Sequence, residues 1–262
     1  MAPLIVMLSD FGHDDPYVGI MKGVILTLAP ETRFVDLCHR VCAGDVLQGA
    51  LQLRSAVPIF PDGTTFLAVV DPGVGGDRRP IAVRSNRFHF VGPDNGLLSL
   101  ALANETVETV VHLTDSRFHL AQVSQTFHGR DLFAPVAAHL SLGVPISEMG
   151  PAITDHKKLR LPEPDCHDGQ ITGVILGIDS FGNLSTNIPR SLIPTDQTVS
   201  VRIAGLTLSG LSTAYSDVQP GKLLALIGSQ ETVEIACRNG SAQDKLGVDR
   251  GQTVTLSWTD GQ

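Results

Sequence analysis

The first 160 residues alternate apolar runs with stretches of helical spacing. Leu4–Leu8 is continuously apolar and predicts a buried strand. Asp15-Pro16 follows as a helix start, with the carboxylate as N-cap and proline at the first helical position. Val18, Met21, Val24, Ile25 and Leu28 then recur at helical spacing. Thr32–Leu37 predicts a short strand, and Asp45 caps a second helix carrying Leu47, Ala50, Leu51 and Arg54. Phe66–Val70 and Ile81–Val83 predict strands on either side of a glycine-rich turn, and Phe88–Val91 another. Pro93-Asp-Asn95-Gly turns into a helix through Leu97–Leu102, Val107–Leu113 predicts a strand, and Asp131–Leu142 a helix ending at Gly143. Alternation of this kind implies a largely parallel sheet covered on both faces.

The pattern changes after Leu159-Arg-Leu-Pro162-Glu-Pro164-Asp, where two prolines exclude helix and stiffen the chain. Beyond it, Gly169–Ile178, Val199–Ile203, Leu223–Ile227, Thr232–Ala236 and Thr253–Trp258 predict strands separated by Gly, Asp and Asn turns, with no long helix. The expected organisation is an α/β domain over residues 1–160, a linker over 161–168 and a small antiparallel β-barrel domain over 169–262.

Composition narrows the function. A formal net charge of −8 argues against a broad electrostatic footprint for nucleic acid. Cys38, Cys42, Cys166 and Cys237 form neither a disulfide framework nor a paired zinc motif, so reduced thiols in a cytoplasmic protein are expected. The opening Ala2–Leu8 has no positive n-region and reads as a strand, not a signal peptide. No segment approaches the ~20 apolar residues that span a bilayer.

Four segments carry candidate chemistry. Asp71 ends one strand, Arg78 precedes the next, and Gly73, Gly75 and Gly76 lie between them. A carboxylate at a strand's carboxyl end suits a ligand site, and glycines permit close approach; a surface turn with an ion pair fits the same residues. Gly73-x-Gly75-Gly76 is not a dinucleotide loop, because a strand follows it. In Ser9-Asp10-Phe-Gly12-His13-Asp14-Asp15, Asp10 is suited to the vicinal hydroxyls of a ribose, whereas His13, Asp14 and Asp15 have poor spacing for a metal. His128, in Thr126-Phe-His-Gly-Arg130-Asp131, sits near a helix N-terminus, which disfavours its protonated form. A loop histidine bonded to backbone is the plainer alternative. Ile178-Asp179-Ser-Phe181-Gly182-Asn183-Leu-Ser185-Thr-Asn187-Ile188 gathers a carboxylate, an aromatic face and two amides suited to a polar, aromatic ligand, with Phe stacking on a base and Asn reading its edge; a hairpin turn accounts for it equally.

Taken together, these segments resemble the family of S-adenosylmethionine-dependent hydrolases and halogenases, which includes the fluorinase and the chlorinase. The resemblance spans essentially the whole chain. It rests on Ser9-Asp10-Phe-Gly12, Lys22-Gly23, Asp36-x-Cys38-His39, Gly49-Ala50, Asp71-Pro-Gly-Val-Gly, Pro93-x-Asn95-Gly-Leu-Leu98, Phe127-His-Gly-Arg130 and Asp179-x-Phe-Gly-Asn183. It implies an α/β domain followed by a β-barrel domain. It also implies a homotrimer whose substrate lies between one subunit's N-terminal domain and a neighbour's C-terminal domain. The hydrolase members share an Asp–Arg–His set that maps onto Asp71, Arg78 and His128. The fluorinase has an aromatic residue in place of Asp71, and a carboxylate there repels a halide. Substrate contacts are implied at Asp10 for the ribose, Asp179 for the methionine ammonium, Phe181 and Asn183 for the adenine, and Ser229 for the methionine carboxylate. Asp15, Asn95 and Glu234 complete the implied binding set. Gln230 stands where the fluorinase has Arg, and Ser185 where the family has Trp.

The expected reaction is metal-independent hydrolysis of S-adenosyl-L-methionine to adenosine and methionine by in-line attack of water at ribose C5′. S-adenosyl-L-methionine is then the substrate and no cofactor is needed. The thioether leaves neutral, so the site must position and activate water, with Arg78 as the permanent cation and either Asp71 or His128 as base. A non-catalytic sensor of the same ligand, a halogenase and a metal hydrolase built on His13, Asp14 and Asp15 are the alternatives.

Overall fold

Six strands of the N-terminal half form one sheet: β1 (Leu4–Ser9), β2 (Arg33–Cys38), β3 (Thr65–Val69), β4 (Pro80–Ser85), β5 (His89–Pro93) and β6 (Val107–His112), in the order β2-β1-β3-β5-β4-β6. The first four in that order run parallel, and β4 is antiparallel to both β5 and β6. The computed structural model describes residues 2–195 and 197–258.

Helices cover both faces, as the apolar runs require. These are α1 (Tyr17–Leu28), α2 (Val46–Ala56), α3 (Ser99–Leu102) and α4 (Ala134–Ser141). Alternate side chains of β1 and β3 divide between two cores: Ile5, Met7, Leu67 and Val69 enter one, and Val6, Leu8, Phe66 and Ala68 the other. Helix α1 begins one residue later than Asp15-Pro16 predicts. Pro16 occupies the N-cap position, its carbonyl takes Ile20 N–H, and Asp15 is exposed without capping. Pro16 has φ −77° and ψ 2°, short of the helical ψ, so the first helical residue is Tyr17. Asp45 caps α2 as expected, accepting Gln48 N–H at 3.0 Å. The predicted helix from Asp131 is a π turn, Gly129–Phe133, continuous with α4, in which Ala134 N–H reaches back to Gly129 O.

The carboxyl ends of β1, β3 and β5 share one edge of this sheet. Ser9 pairs with Val69, and Pro80, the first residue of β4, pairs with Pro93. Residues leaving these strands therefore emerge side by side, which is where parallel sheets hold ligands.

One unit ends at Leu159 and the second begins at Arg160. The second is an antiparallel sheet of β7 (Asp165–His167), β8 (Gln170–Ile178), β9 (Leu184–Pro189), β10 (Val199–Ile203), β11 (Leu206–Ser209), β12 (Leu223–Ile227), β13 (Thr232–Cys237) and β14 (Thr253–Trp258), with a short α-helix, α5 (Ala242–Leu246). The order is β11-β10-β14-β8-β9-β13-β12, and a bridge from Ser212 to Leu226 ties the far ends towards a barrel. Strand β7 falls inside the stretch read as a linker. Asp168 (φ 43°) and Gly169 (φ 74°) make the two-residue turn that folds it back on β8. Among the described residues no helix is long and apolar enough to cross a membrane.

Candidate active site

Asp71 and Arg78 are joined by a corner of successive turns. Val74 N–H reaches Asp71 O at 3.2 Å and Gly76 N–H reaches Gly73 O at 3.1 Å. Gly75 has φ +75°, and a Cβ there would overlap the carbonyl oxygen of Gln125. Only glycine lets the corner lie against the segment that leads to His128.

The consequence is a contact across 50 residues. Arg78 Nε donates to Asp71 Oδ1 at 3.0 Å and Oδ2 at 2.9 Å, and Nη2 donates to Oδ2 at 2.6 Å. The same Nη2 lies 2.6 Å from His128 Nδ1. The Asp71 and Arg78 side chains are each 5% exposed, so this is no surface ion pair. Their attraction is little screened, and loss of either partner would strand a buried charge. Phe133, on the π turn, places its ring 5.4 Å from the guanidinium. π turns recur at functional sites, where they displace side chains from helical register.

Arg78 only donates, so His128 Nδ1 is an acceptor and the neutral ring carries its proton on Nε2. Burial, and then the Arg78 charge, hold the imidazole below its usual pKa of 6.5, against smaller opposing effects of Asp71, Asp131 and the Ser124 backbone. Nη1 of Arg78 enters none of these hydrogen bonds and keeps two N–H donors.

Asp10 leaves β1 beside the point where Asp71 leaves β3. Its Oδ2 accepts Gly44 N–H at 2.8 Å. Gly44 (φ +73°) would place a Cβ 3.6 Å from Pro72, so its loop runs from the Asp10 turn to the Asp71 corner. Asn95 braces the same edge: Nδ2 donates to Val70 O at 2.8 Å and Oδ1 accepts Leu97 N–H at 3.1 Å. Its amide thus holds the residue preceding Asp71. Asp15 lies on the exposed N-terminal approach to α1. Among the described residues no three His, Cys, Asp or Glu side chains form a group able to hold a metal ion.

In the second unit the Asp179–Asn183 stretch is a hairpin turn between β8 and β9. Asp179 Oδ1 accepts the N–H of Phe181 and of Asn183, each at 2.9 Å, and Oδ2 accepts Asn183 Nδ2 at 3.0 Å. The turn lifts Phe181 into solvent at 75% exposure, an unusual state for a large apolar ring. Glu234 on β13 lies opposite Ser185 of β9 and accepts the Tyr215 hydroxyl at 2.6 Å. Burial raises the Glu234 pKa, with the Asp179 charge adding to it, and the Glu234 bond helps push Tyr215 up to about 12. Ser229 is exposed at the β12–β13 turn. Sequence reasoning missed Tyr215, Phe133 and the Ser124–Gln125 backbone as parts of these sites. Tyr215 stands far from its partner in sequence, and a backbone contact has no residue signature.

Comparison with known proteins gives the same picture over nearly the whole chain. The family model described as the SAM hydroxide adenosyltransferase N-terminal domain matches residues 5–150, and that of the C-terminal domain matches residues 173–255. The (R)-S-adenosyl-L-methionine hydrolase of Salinispora tropica is 42% identical over 260 residues, covering 97% of this chain and 98% of its own. A fluorinase from an Actinoplanes species is more distant, at 29% identity with 72% of each chain covered. The crystal structure of an uncharacterized conserved protein from Thermotoga maritima matches with a TM-score of 0.90 and 34% identity, covering 97% of this chain and 99% of that one.

Proposed function

The chain belongs to the SAM hydroxide adenosyltransferase family, and from that membership we propose that it hydrolyses S-adenosyl-L-methionine to adenosine and methionine. The observation that carries the hydrolytic reading is the buried Asp71 carboxylate locked to Arg78. An anion fixed beside the nucleophile's position repels a halide and accepts hydrogen bonds from water.

In this reading Arg78 Nη1 holds the attacking water and lowers the cost of hydroxide character, while Asp71 orients it and takes its proton. His128 is a positioning group, since its acceptor nitrogen is already taken by Arg78. The water attacks C5′ of the ribose opposite the sulfonium; the C5′–O bond forms as the C5′–S bond breaks. Methionine leaves as a neutral thioether and needs no general acid. Excluding bulk water and holding this alignment supply the rate.

Asp10 takes the ribose hydroxyls, Asp179 the methionine ammonium, Phe181 and Asn183 the adenine, and Ser229 the methionine carboxylate, with Glu234 and Asp15 in supporting contacts. S-adenosyl-L-methionine is consumed as substrate, and no cofactor takes part. The α/β part is assigned to catalysis, and the subunits are assigned to a homotrimer in which neighbours complete each other's site. The four free thiols accord with a cytoplasmic location. Because the Salinispora tropica relative is named for the (R) substrate, the (R) sulfonium epimer is the expected substrate here too.

The test is incubation of the purified protein with an epimeric mixture of S-adenosyl-L-methionine in water enriched in heavy oxygen. Adenosine labelled at its 5′ oxygen, with the (R) epimer depleted, is the expected result. Unlabelled adenosine, or binding with no turnover, overturns the assignment.

A further inference from the structure

Ser9, His39, Asp36 and Lys22 form a chain that the proposed hydrolysis does not use. Ser9 Oγ lies 2.7 Å from His39 Nδ1, His39 Nε2 lies 3.1 Å from Asp36 Oδ1, and Lys22 Nζ donates to Asp36 Oδ2 at 2.6 Å. The residue types are those of a nucleophile, a base and its orienting carboxylate. Burial excludes that use. Ser9 is 2% exposed and His39 1%, and Ser9 Oγ already accepts Phe11 N–H at 3.3 Å.

The chain ends instead on the turn that carries Asp10. Asp36 only accepts, so His39 Nε2 bears the proton and Nδ1 takes the Ser9 hydroxyl hydrogen. Burial holds His39 below its usual pKa. His13, edge-on at 5.5 Å, and the Lys22 charge push the same way, while Asp36 opposes them. The His39 carbonyl accepts Gly12 N–H at 2.7 Å. From the same β2–α2 connection, Gly44 N–H holds Asp10 Oδ2. Three bonds from one loop thus grip residues 9–12, and Asp10 Oδ1 enters none of them.

We propose that His39 is a positioning residue for the ribose: through Ser9 and its own carbonyl it fixes the turn on which the Asp10 carboxylate meets the substrate's vicinal hydroxyls. The inference rests on the reading of Asp10 as the ribose-binding group. Ribose contacts persist from ground state to transition state, so their loss appears in KM more than in kcat.

The experiment compares His39→Gln and His39→Asn in the full-length protein, each alone and combined with Asp10→Ala, by steady-state kinetics with S-adenosyl-L-methionine. The Asn amide oxygen reproduces the Nδ1 acceptor for Ser9, whereas the Gln amide reaches towards the Asp36 end. His39→Gln raises KM on the order of tenfold, as for a small misplacement of a binding group, and His39→Asn restores KM towards wild type. In the Asp10→Ala background neither variant raises KM further. Equal losses in Asn and Gln, or KM increases that multiply with that of Asp10→Ala, overturn the proposal and leave the ribose reading intact. An Asp10→Ala protein with wild-type KM overturns both. If His39→Gln does not fold, Ser9→Ala, which removes only the hydroxyl, takes its place: it raises KM alone and raises it no further in the Asp10→Ala background, and an increase that multiplies with that of Asp10→Ala overturns the proposal.

Discussion

Nη2 of Arg78 lies 2.6 Å from Nδ1 of His128. A guanidinium has no lone pair to offer, so this contact fixes the tautomer of the imidazole. It also bears on which of the two proposed bases takes the proton from water. A histidine whose acceptor nitrogen faces a permanent cation gains a proton only by creating two adjacent positive charges. Asp71 faces the same cation with the opposite sign, and that geometry favours it as the proton acceptor.

Arg78→Lys tests whether the fork or merely the charge matters. Lysine has no planar pair of donors, so it cannot bind both Asp71 oxygens and reach His128 as well. kcat is expected to fall on the order of 10²–10³-fold, the scale of losing an aimed electrostatic donor. The melting temperature should fall far less than in Arg78→Met, which leaves the Asp71 carboxylate buried and unpaired. Kinetics and thermal denaturation of the two variants check this. A Lys variant with wild-type kcat would refute the role of the fork.

Gly75→Ala separates backbone strain from contact. Gly75 (φ +75°) and Gly63 (φ +83°) both occupy the left-handed region, but a Cβ at Gly63 meets nothing within 4 Å, whereas at Gly75 it meets Gln125. Gly63→Ala should cost about 1 kcal/mol from backbone strain alone. Gly75→Ala should cost more and also lower kcat, because the corner must move away from the segment bearing His128. Chemical denaturation and turnover of the pair are the measurement.

The parallel half of the molecule was legible because its strands are continuous apolar runs and its helices keep their spacing. Asp71 and Arg78 were legible as a pair because one tight turn separates them. The approach of His128 was not, since it depends on Gly75 admitting the Gln125 backbone, a long-range contact without a local pattern. Strand β9 was missed for another reason. Leu184, Thr186 and Ile188 are buried in alternation with Ser185 and Asn187, a clean strand period. The polar residues drew the segment into a ligand motif and hid that period. Of the two alternatives for Asp179–Asn183 the structure shows the hairpin turn, which leaves Phe181 exposed; the nucleoside contact remains a proposal.

Acid should destabilise the protein early. His39, His89, His112, His119, His128, His139 and His156 are all held below their ordinary pKa, chiefly by burial, with His89 pushed down to about 4. A depressed value means the unfolded chain binds more protons than the folded one below pH ~6.5. Stability is therefore fully present above that pH and declines as pH falls through the folded values. Denaturant midpoints from pH 4 to 8 should rise steeply up to about pH 6.5 and then level off. The rate should follow the same course, flat from about pH 6.5 to 8, because His128 is already neutral there. A kcat that climbs across that upper window would show that His128 is not held below its ordinary pKa.

Phe181 offers the sharpest contrast between stability and binding. Its ring is 75% exposed, so Phe181→Ala removes almost no packing, and stability should stay within about ±0.5 kcal/mol of wild type. If the ring stacks on adenine, adenosine affinity should drop by about 1–3 kcal/mol, the scale of an aromatic–base contact. Gly182→Ala is the complementary change. Gly182 (φ +79°) packs against the Ser241 side chain at the start of α5, so a Cβ there overlaps Ser241 Oγ and distorts the turn that presents the ring. That variant should lose both stability and affinity, whereas Phe181→Ala should lose affinity alone. Calorimetric titration with adenosine, beside thermal melts of both proteins, distinguishes the cases. Unchanged affinity in Phe181→Ala would mean that the exposed ring serves some surface other than the nucleoside site.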